Sequence, residues 1–332
     1  LDPFERLHAA SGKRSEEESG NGRPLRASAA VPLLLPGSAI RLRRVPPARQ
    51  PPERIMQQVT VRVPASTSNL GPGFDCLGVA LRIYNHVTVR LGGASEVDPI
   101  VREAADLFFA RAARRPVGFA CKIQGDVPPS RGLGSSVTVR LGVMHGLNAL
   151  AGKPLTREQI FRLCAELEGH PDNAAPAEFG GFNLVRRTSR QRFAVSAALK
   201  FVLLIPDFEV RTADARALLP KKLDRLNAVE SCGNAAAIAA AFASGKYANL
   251  RGAFVDHLHQ PFRKQLVPFF DSAISAAEEA GALGGFLSGS GSTIAAVTLD
   301  APERVGAAML EAAPVGARVL VTTADNRGAH IR

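Results

Sequence analysis

The chain has 332 residues, 46% of them hydrophobic, which is ample apolar material for one large or two smaller α/β units. No apolar run approaches the ~18 residues of a membrane span, so the reading is a soluble cytoplasmic protein with no membrane partner. The charge of +11 raises nucleic-acid binding, but only two tyrosines and no tryptophan are present to stack on bases.

The positive excess is also scattered, with four of the eleven charges in residues 1–55, largely at Arg41, Arg43, Arg44 and Arg49. No nucleic-acid partner is expected on this ground, and a basic balance equally suits an enzyme acting on polyanions such as ATP. The four cysteines, Cys76, Cys121, Cys164 and Cys232, form no C-x-x-C pair, and they read as reduced thiols rather than a disulfide framework or zinc site.

Residues 1–55 hold eight prolines and no sustained periodicity. They read as a disordered extension or as translated sequence upstream of a start at Met56; the acidic Glu16–Glu18 speaks against a transit peptide. Alternation then predicts strands over Gln58–Val63 and Arg82–Leu91, with a short one at Cys121–Ile123. A helix is expected over Ser136–Leu150, and a second over Thr156–Glu168 with Thr156 as N-cap. Phe201–Ile205 reads as a buried strand. Helices follow at Thr212–Leu219, Ala235–Ala243, Asn249–Val255 and Phe269–Ala280, and strands at Phe286–Leu287 and Ile294–Thr298. Without regular βαβ alternation the class is α+β, in two lobes, 56–205 and 206–332.

Four segments offer chemistry. Pro128–Ser136 places glycines and two serines before the strongest helix; it is either a phosphate cradle at a helix N-terminus or a glycine-rich turn capped by Ser135. It lacks the Lys of a Walker A loop. Pro64–Asp75 runs from a strand into a loop rich in hydroxyls that could bring Asn69 and Asp75 onto a polar ligand, or could cap its own backbone. Glu166–Asn173 groups carboxylates, an imidazole and an amide, suited to Mg²⁺ and a substrate or to a solvated helix end. Ser288–Ser292 is a glycine turn between two strands.

In this order the segments resemble the GHMP kinase superfamily over residues 57–332. Gly132–Ser136 is similar to its phosphate-loop motif and Ser288–Ser292 to its third glycine motif. Pro64–Asp75 (PASTSNLGPGFD), His170–Pro176, Thr212–Arg216 and Asp256–Arg263 are similar to the homoserine kinase branch. Ser292 stands where that branch commonly has Pro, and Val137-Thr138 replaces small residues after the serine pair.

The resemblance implies a two-lobed GHMP fold with its site between N- and C-terminal domains. It also implies transfer of the ATP γ-phosphoryl group to the hydroxyl of L-homoserine, on the route to threonine, by a homodimer using Mg²⁺. It would place ATP on Pro129, Ser130, Arg131, Gly132, Leu133, Gly134, Ser135 and Ser136. The amino-acid substrate would meet Asn69, Asp75, Thr212, Arg216 and Arg263, with Asn173, His170 and Arg216 catalytic. Ser136 and Glu166 would bind the metal, with Glu168 as the alternative that spacing does not separate. Related kinases use an aspartate as base where this chain has Asn173, and an amide cannot accept that proton. Catalysis by positioning is therefore expected, with Asp172 as the rival base. The rival readings are a GHMP kinase for mevalonate, a sugar or shikimate, and a nucleic-acid-binding protein on the same fold.

Overall fold

Val59, Val61 and Val63 alternate with Thr60 and Arg62, and this period of two lays down β1 (Gln58–Ser68). The strand continues through Pro64–Ser68, where a loop is expected from sequence; a register shift between Pro64 and Ala65 accommodates a proline that has no N–H to give. The computed structural model describes residues 57–93, 98–187 and 189–332. The extension expected over residues 1–55 lies outside them. Arg54–Arg332 forms one compact unit.

Fifteen residues make β2 (Leu77–Leu91), long enough to serve two neighbours. Its first residues pair with β4 (Phe182–Arg186) and its last with β3 (Phe119–Gly125). The hairpin partner of β4 is β5 (Ser189–Phe193), and β10 (His330–Ile331) closes the far side of β1, giving a six-stranded antiparallel sheet. One face of it carries α1 (Pro99–Arg111), α2 (Ser135–Leu150), α3 (Arg157–Glu168) and α4 (Ala174–Phe179). Val59, Val61, Val87 and Val89 meet Phe108, Leu141, Met144 and Ile160 there in a closed core. Local signals set the ends of α3. Thr156 accepts from Gln159 N–H in a capping box, and Gly169 at φ +75° stops the helix.

The second sheet, in order β7 (Gly284–Leu287), β8 (Ile294–Thr298), β6 (Lys200–Ile205) and β9 (Arg318–Thr322), is also antiparallel. On one face lie α8 (Phe270–Glu279) and α9 (Pro302–Glu311), around Val202, Leu204 and Met309. The other face shares a core with the first sheet and with α6 (Arg225–Ser244), in which Phe182 stacks on Phe242 at 4.3 Å. Between these run the short helices α5 (Thr212–Ala217) and α7 (Gln260–Arg263).

The architecture is thus α+β, as expected, and both sheets are antiparallel. Lys200–Ile205 lies wholly in the second sheet, so the sheets change at about residue 200 rather than after 205, and the last residues return to the first sheet. The helix expected over Asn249–Val255 does not form. A 3-10 turn, Tyr247–Leu250, takes its place, because Gly252 at φ +77° turns the backbone out of the helical region. No helix among the described residues is long and apolar enough to cross a membrane.

Candidate active site

The segment 129–136 lies between β1 and the Ser288–Ser292 turn, and glycines make that fit. A Cβ on Gly132 (φ +71°) would fall 2.1 Å from the Ser288 carbonyl oxygen, and one on Gly134 (φ +67°) 2.4 Å from Ser66 Oγ. Gly134 itself is the N-cap of α2 and no side chain caps the first turn, so Ser135 opens the helix rather than capping it. The free N–H groups and positive dipole end of a sixteen-residue helix therefore sit beside the cleft. Leu133 is a correction: its side chain is core, and its contribution is a carbonyl that accepts from Ser66 N–H at 3.1 Å. Pro129, Ser130, Arg131, Gly132, Gly134, Ser135 and Ser136 all line a cleft of about 400 Å³. The Arg131 guanidinium reaches across to the carbonyls of Pro206 (3.0 Å) and Asp207, joining the loop to the second sheet.

Asn69, Asp75, His170, Asp172, Asn173, Thr212, Arg216 and Arg263 line the same cleft, though 194 residues separate the first from the last. Asp75 and Arg216 form a two-pronged ion pair at 2.7 and 3.2 Å. The Asn69 amide is used within the fold: it donates to Gly289 O at 3.0 Å and accepts from Asp75 N–H at 3.0 Å, fixing the turn that presents Asp75. Arg263 is buried, donating to Ala215 O at 3.3 Å and Gly289 O at 3.1 Å. Its guanidinium and that of Arg216 lie over the Phe74 ring at 5.0 and 5.5 Å. Burial, then the charge of Arg216, depresses the Arg263 pKa to about 10, so it still carries its charge at neutral pH.

Asn173 hangs between two serines of β1. Ser66 Oγ donates to its Oδ1 at 2.9 Å and its Nδ2 donates to Ser68 Oγ at 2.9 Å. The neighbouring Asp172 accepts from His170 Nδ1 at 2.6 Å and from Asn173 N–H at 2.9 Å. Burial opposes a charged His170, but the hydrogen bond and charge of Asp172 outweigh it and raise its pKa. Burial would likewise raise Asp172, and the same His170 contact, helped by Ser68 and Asn173, lowers it. Each group thus favours the charged form of the other. Asp75, His170 and Asp172 present atoms within 4.8 Å of one another. The His170–Asp172 hydrogen bond occupies ring and carboxylate atoms that a metal would need, so this cluster suits a polar organic ligand better than a metal.

Glu166 is not part of the cleft; it is exposed and pairs with Arg111 at 3.0 Å. Glu168, the alternative, lines the cleft, accepting from Ser136 Oγ at 3.0 Å and pairing with Arg140. A carboxylate and a hydroxyl at the mouth of the loop are hard oxygen donors of the kind Mg²⁺ takes, and Glu168 and Ser136 fit such an ion. Sequence reasoning passed over Ser66 and Ser68. Their spacing of two on a strand was the available signal, since it puts both hydroxyls on one face.

The family models described as GHMP kinases N terminal domain and GHMP kinases C terminal match residues 99–181 and 237–315. A homoserine kinase of Clostridium beijerinckii is 37% identical, over 82% of this chain and 98% of its own. One from Synechococcus is 40% identical, over 76% and 90%. The crystal structure of homoserine kinase from Cytophaga hutchinsonii superposes with a TM-score of 0.77 at 28% identity, over 84% of this chain and 99% of that one. With this identity, and with the glycine loop and the Asp75–Arg216 and His170–Asp172 pairs in one cleft, the chain belongs to the homoserine kinase family of GHMP kinases.

Proposed function

We propose that this chain transfers the γ-phosphoryl group of ATP to the side-chain hydroxyl of L-homoserine, giving O-phospho-L-homoserine and ADP. The observation that supports it most directly is a receptor for a zwitterion beside a phosphate loop: two arginines for a carboxylate, and Asp75 with Asp172 for an ammonium. Mevalonate, a sugar or shikimate would bring no ammonium to those carboxylates, whose partners within the chain are Arg216 and His170. ADP release is to be measured with L-homoserine, mevalonate, galactose and shikimate in turn. Turnover with homoserine alone is expected, and turnover with mevalonate but not homoserine would reject the reading.

In this reading the α2 N-terminus and loop N–H groups bind the phosphates, and Arg216 and Arg263 orient the carboxylate. Asn173, its rotamer set by Ser66 and Ser68, donates or accepts at the reacting hydroxyl. Asp172 already accepts from His170 and Asn173 N–H and its pKa is lowered, so it is a poor base. The hydroxyl proton leaves to a phosphate oxygen, which a loose transition state tolerates. Mg²⁺ held by Glu168 and Ser136 would offset phosphate charge. Glu168→Gln is expected to raise the Mg²⁺ needed for half-maximal activity about tenfold, with Glu166→Gln unchanged; a magnesium titration of ADP release reads both.

Asp172→Asn separates base from scaffold. Homoserine KM is expected to rise about tenfold with kcat falling less than tenfold, whereas a base would cost about 10²–10⁴ in kcat at unchanged KM. The pair also links stability to pH. Its His170 share is present below the unfolded imidazole value and lost as pH rises through the raised folded one. Its Asp172 share is present above the unfolded carboxyl value and lost as pH falls through the lowered one. Asp172→Asn should therefore move the His170 titration, followed by NMR, to lower pH. The four free cysteines support a reducing cytoplasm, and exposed Leu226 and Val229 on α6 support a homodimer.

A further inference from the structure

The first sheet buries Val59, Val61, Val87 and Val89 against the helices, so the residues between them face the other way. In register on that outer face, Arg62 stands opposite both His330 and His86. One row along, Thr60 stands opposite Thr88, and Thr88 opposite Lys122, while Arg332 N–H donates to Thr60 O at 3.0 Å. Arg90 follows opposite Gln58. A Thr60–Thr88 hydroxyl contact of 2.9 Å shows that the rows share a face. Arg90, Lys122 and Arg332 are exposed, and Arg62, His86 and His330 half-buried. With strands about 4.8 Å apart and two-residue steps of about 6.8 Å, six basic side chains share a patch a few strands wide.

Among the described residues, the carboxylate that forms a salt bridge on this face is Asp325, which takes Arg62 at 3.4 Å and the Tyr84 hydroxyl at 2.9 Å. Burial, then the charges of Arg332 and Arg62, hold the His86 pKa down against the opposing charge of Asp126, so the cations outweigh the carboxylate there. Among the described residues, Arg62 Nε and His86 Nδ1 are enclosed without a hydrogen-bond partner. Such a face is complementary to an anion. Its planar groups narrow the choice: Arg62 lies 3.8 Å over the Tyr84 ring, and two imidazoles flank it, surfaces on which unpaired bases stack. Thr60, Thr88 and Gln58 between the cations suit ribose hydroxyls. A membrane surface fits poorly, because the sheet's exposed isoleucines, Ile123 and Ile331, are in register with Val87 and Val61 and belong to the opposite face.

We propose that the outer face of the first sheet, through Arg62, His86, Arg90, Lys122, His330 and Arg332, binds single-stranded RNA. Ile123 lines the catalytic cleft from the opposite side of β3, so the two functions are separable.

The test is fluorescence anisotropy of a labelled 20-nucleotide RNA with the full chain from 50 to 300 mM KCl, using the wild type and an Arg90→Glu, Lys122→Glu, Arg332→Glu triple variant. Wild-type binding in the range of about 1–100 μM is expected, falling steeply with salt. The triple variant should bind at least tenfold more weakly and lose about two units of log–log salt slope, at about 0.7 per phosphate contact. Its homoserine-dependent ADP release should stay at the wild-type rate, which also shows that it folds. The milder Arg90→Gln, Lys122→Gln, Arg332→Gln variant should fall between. No wild-type binding at 50 mM KCl would overturn the proposal, as would equal binding by the triple variant, which would move the site to another part of the chain. Equal affinity for DNA of the same length, for duplex RNA or for polyphosphate of the same charge would overturn it too, leaving an unselective polyanion patch.

Discussion

Gly132→Ala is expected to abolish most turnover and to lower the melting temperature by roughly 6 °C or more. The backbone at Gly132 is left-handed, at φ +71°, where an added side chain costs about 1–2 kcal/mol. The larger cost is steric. The new Cβ would lie 2.1 Å from Ser288 O and 2.9 Å from Gly291 O, which are backbone atoms with no side chain to swing aside. Ser288 Oγ in turn donates to Gly132 O at 2.7 Å, so the two glycine turns are locked together. Separating them costs about 3 kcal/mol in all, and at 2–4 °C per kcal/mol that is the stated shift. Gly152→Ala is the control. It has φ +80° but nothing within 4 Å of the added atom, so it should show the left-handed cost alone and normal activity. Differential scanning calorimetry with an ADP-release assay reads both. Equal behaviour of the two variants would mean that contact between the turns is irrelevant to the site.

Arg216→Met is expected to raise the KM for homoserine about a hundredfold, or about 2.7 kcal/mol, with kcat within tenfold and the ATP KM unchanged. The guanidinium fork is the only group on α5 that can meet a carboxylate in two-pronged fashion, and Arg263 alone would remain to hold it. Little stability should be lost, because both members of the Asp75–Arg216 pair are about one-third exposed and solvent screens them. A second substrate isolates the contact. 3-Aminopropan-1-ol keeps the ammonium and the hydroxyl and lacks the carboxylate. The wild type should strongly prefer homoserine over it, and Arg216→Met should lose most of that preference. A variant that kept full discrimination would show that the substrate carboxylate lies elsewhere.

Much of the fold was legible from short-range features. α3 was readable because Thr156, Gln159 and Gly169 act within a turn of the residues they cap. α1 keeps the helical period in Val101, Ala104, Ala105 and Phe108 and has Asp98 as its cap, yet it went unread among the strands around it. Gly252 made the 249–255 helix fail, although Leu250, Ala253 and Phe254, all buried, keep an apolar spacing compatible with one. Glu166 and Glu168 mark a sharper limit. At about 100° per residue, two positions apart on a helix point to nearly opposite sides. Only the placement of Arg111 and Arg140 shows that Glu168 turns inward to Ser136 and Glu166 outward.

The amino-acid sequence by itself determined the glycine loop, the helix behind it and the inventory of charged and amide groups near them. Those follow from glycine's access to positive φ and from apolar periodicity, which operate over a few residues. The tertiary structure decided which groups meet. Asp75 pairs with Arg216 across 141 residues, Asn173 is held by serines 105 and 107 residues away, and Arg62 and Arg332 come onto one sheet face. Cations that look scattered along the chain gather there because β10 returns to pair with β1. That pairing depends on the packing of distant strands into one core, which no local preference encodes.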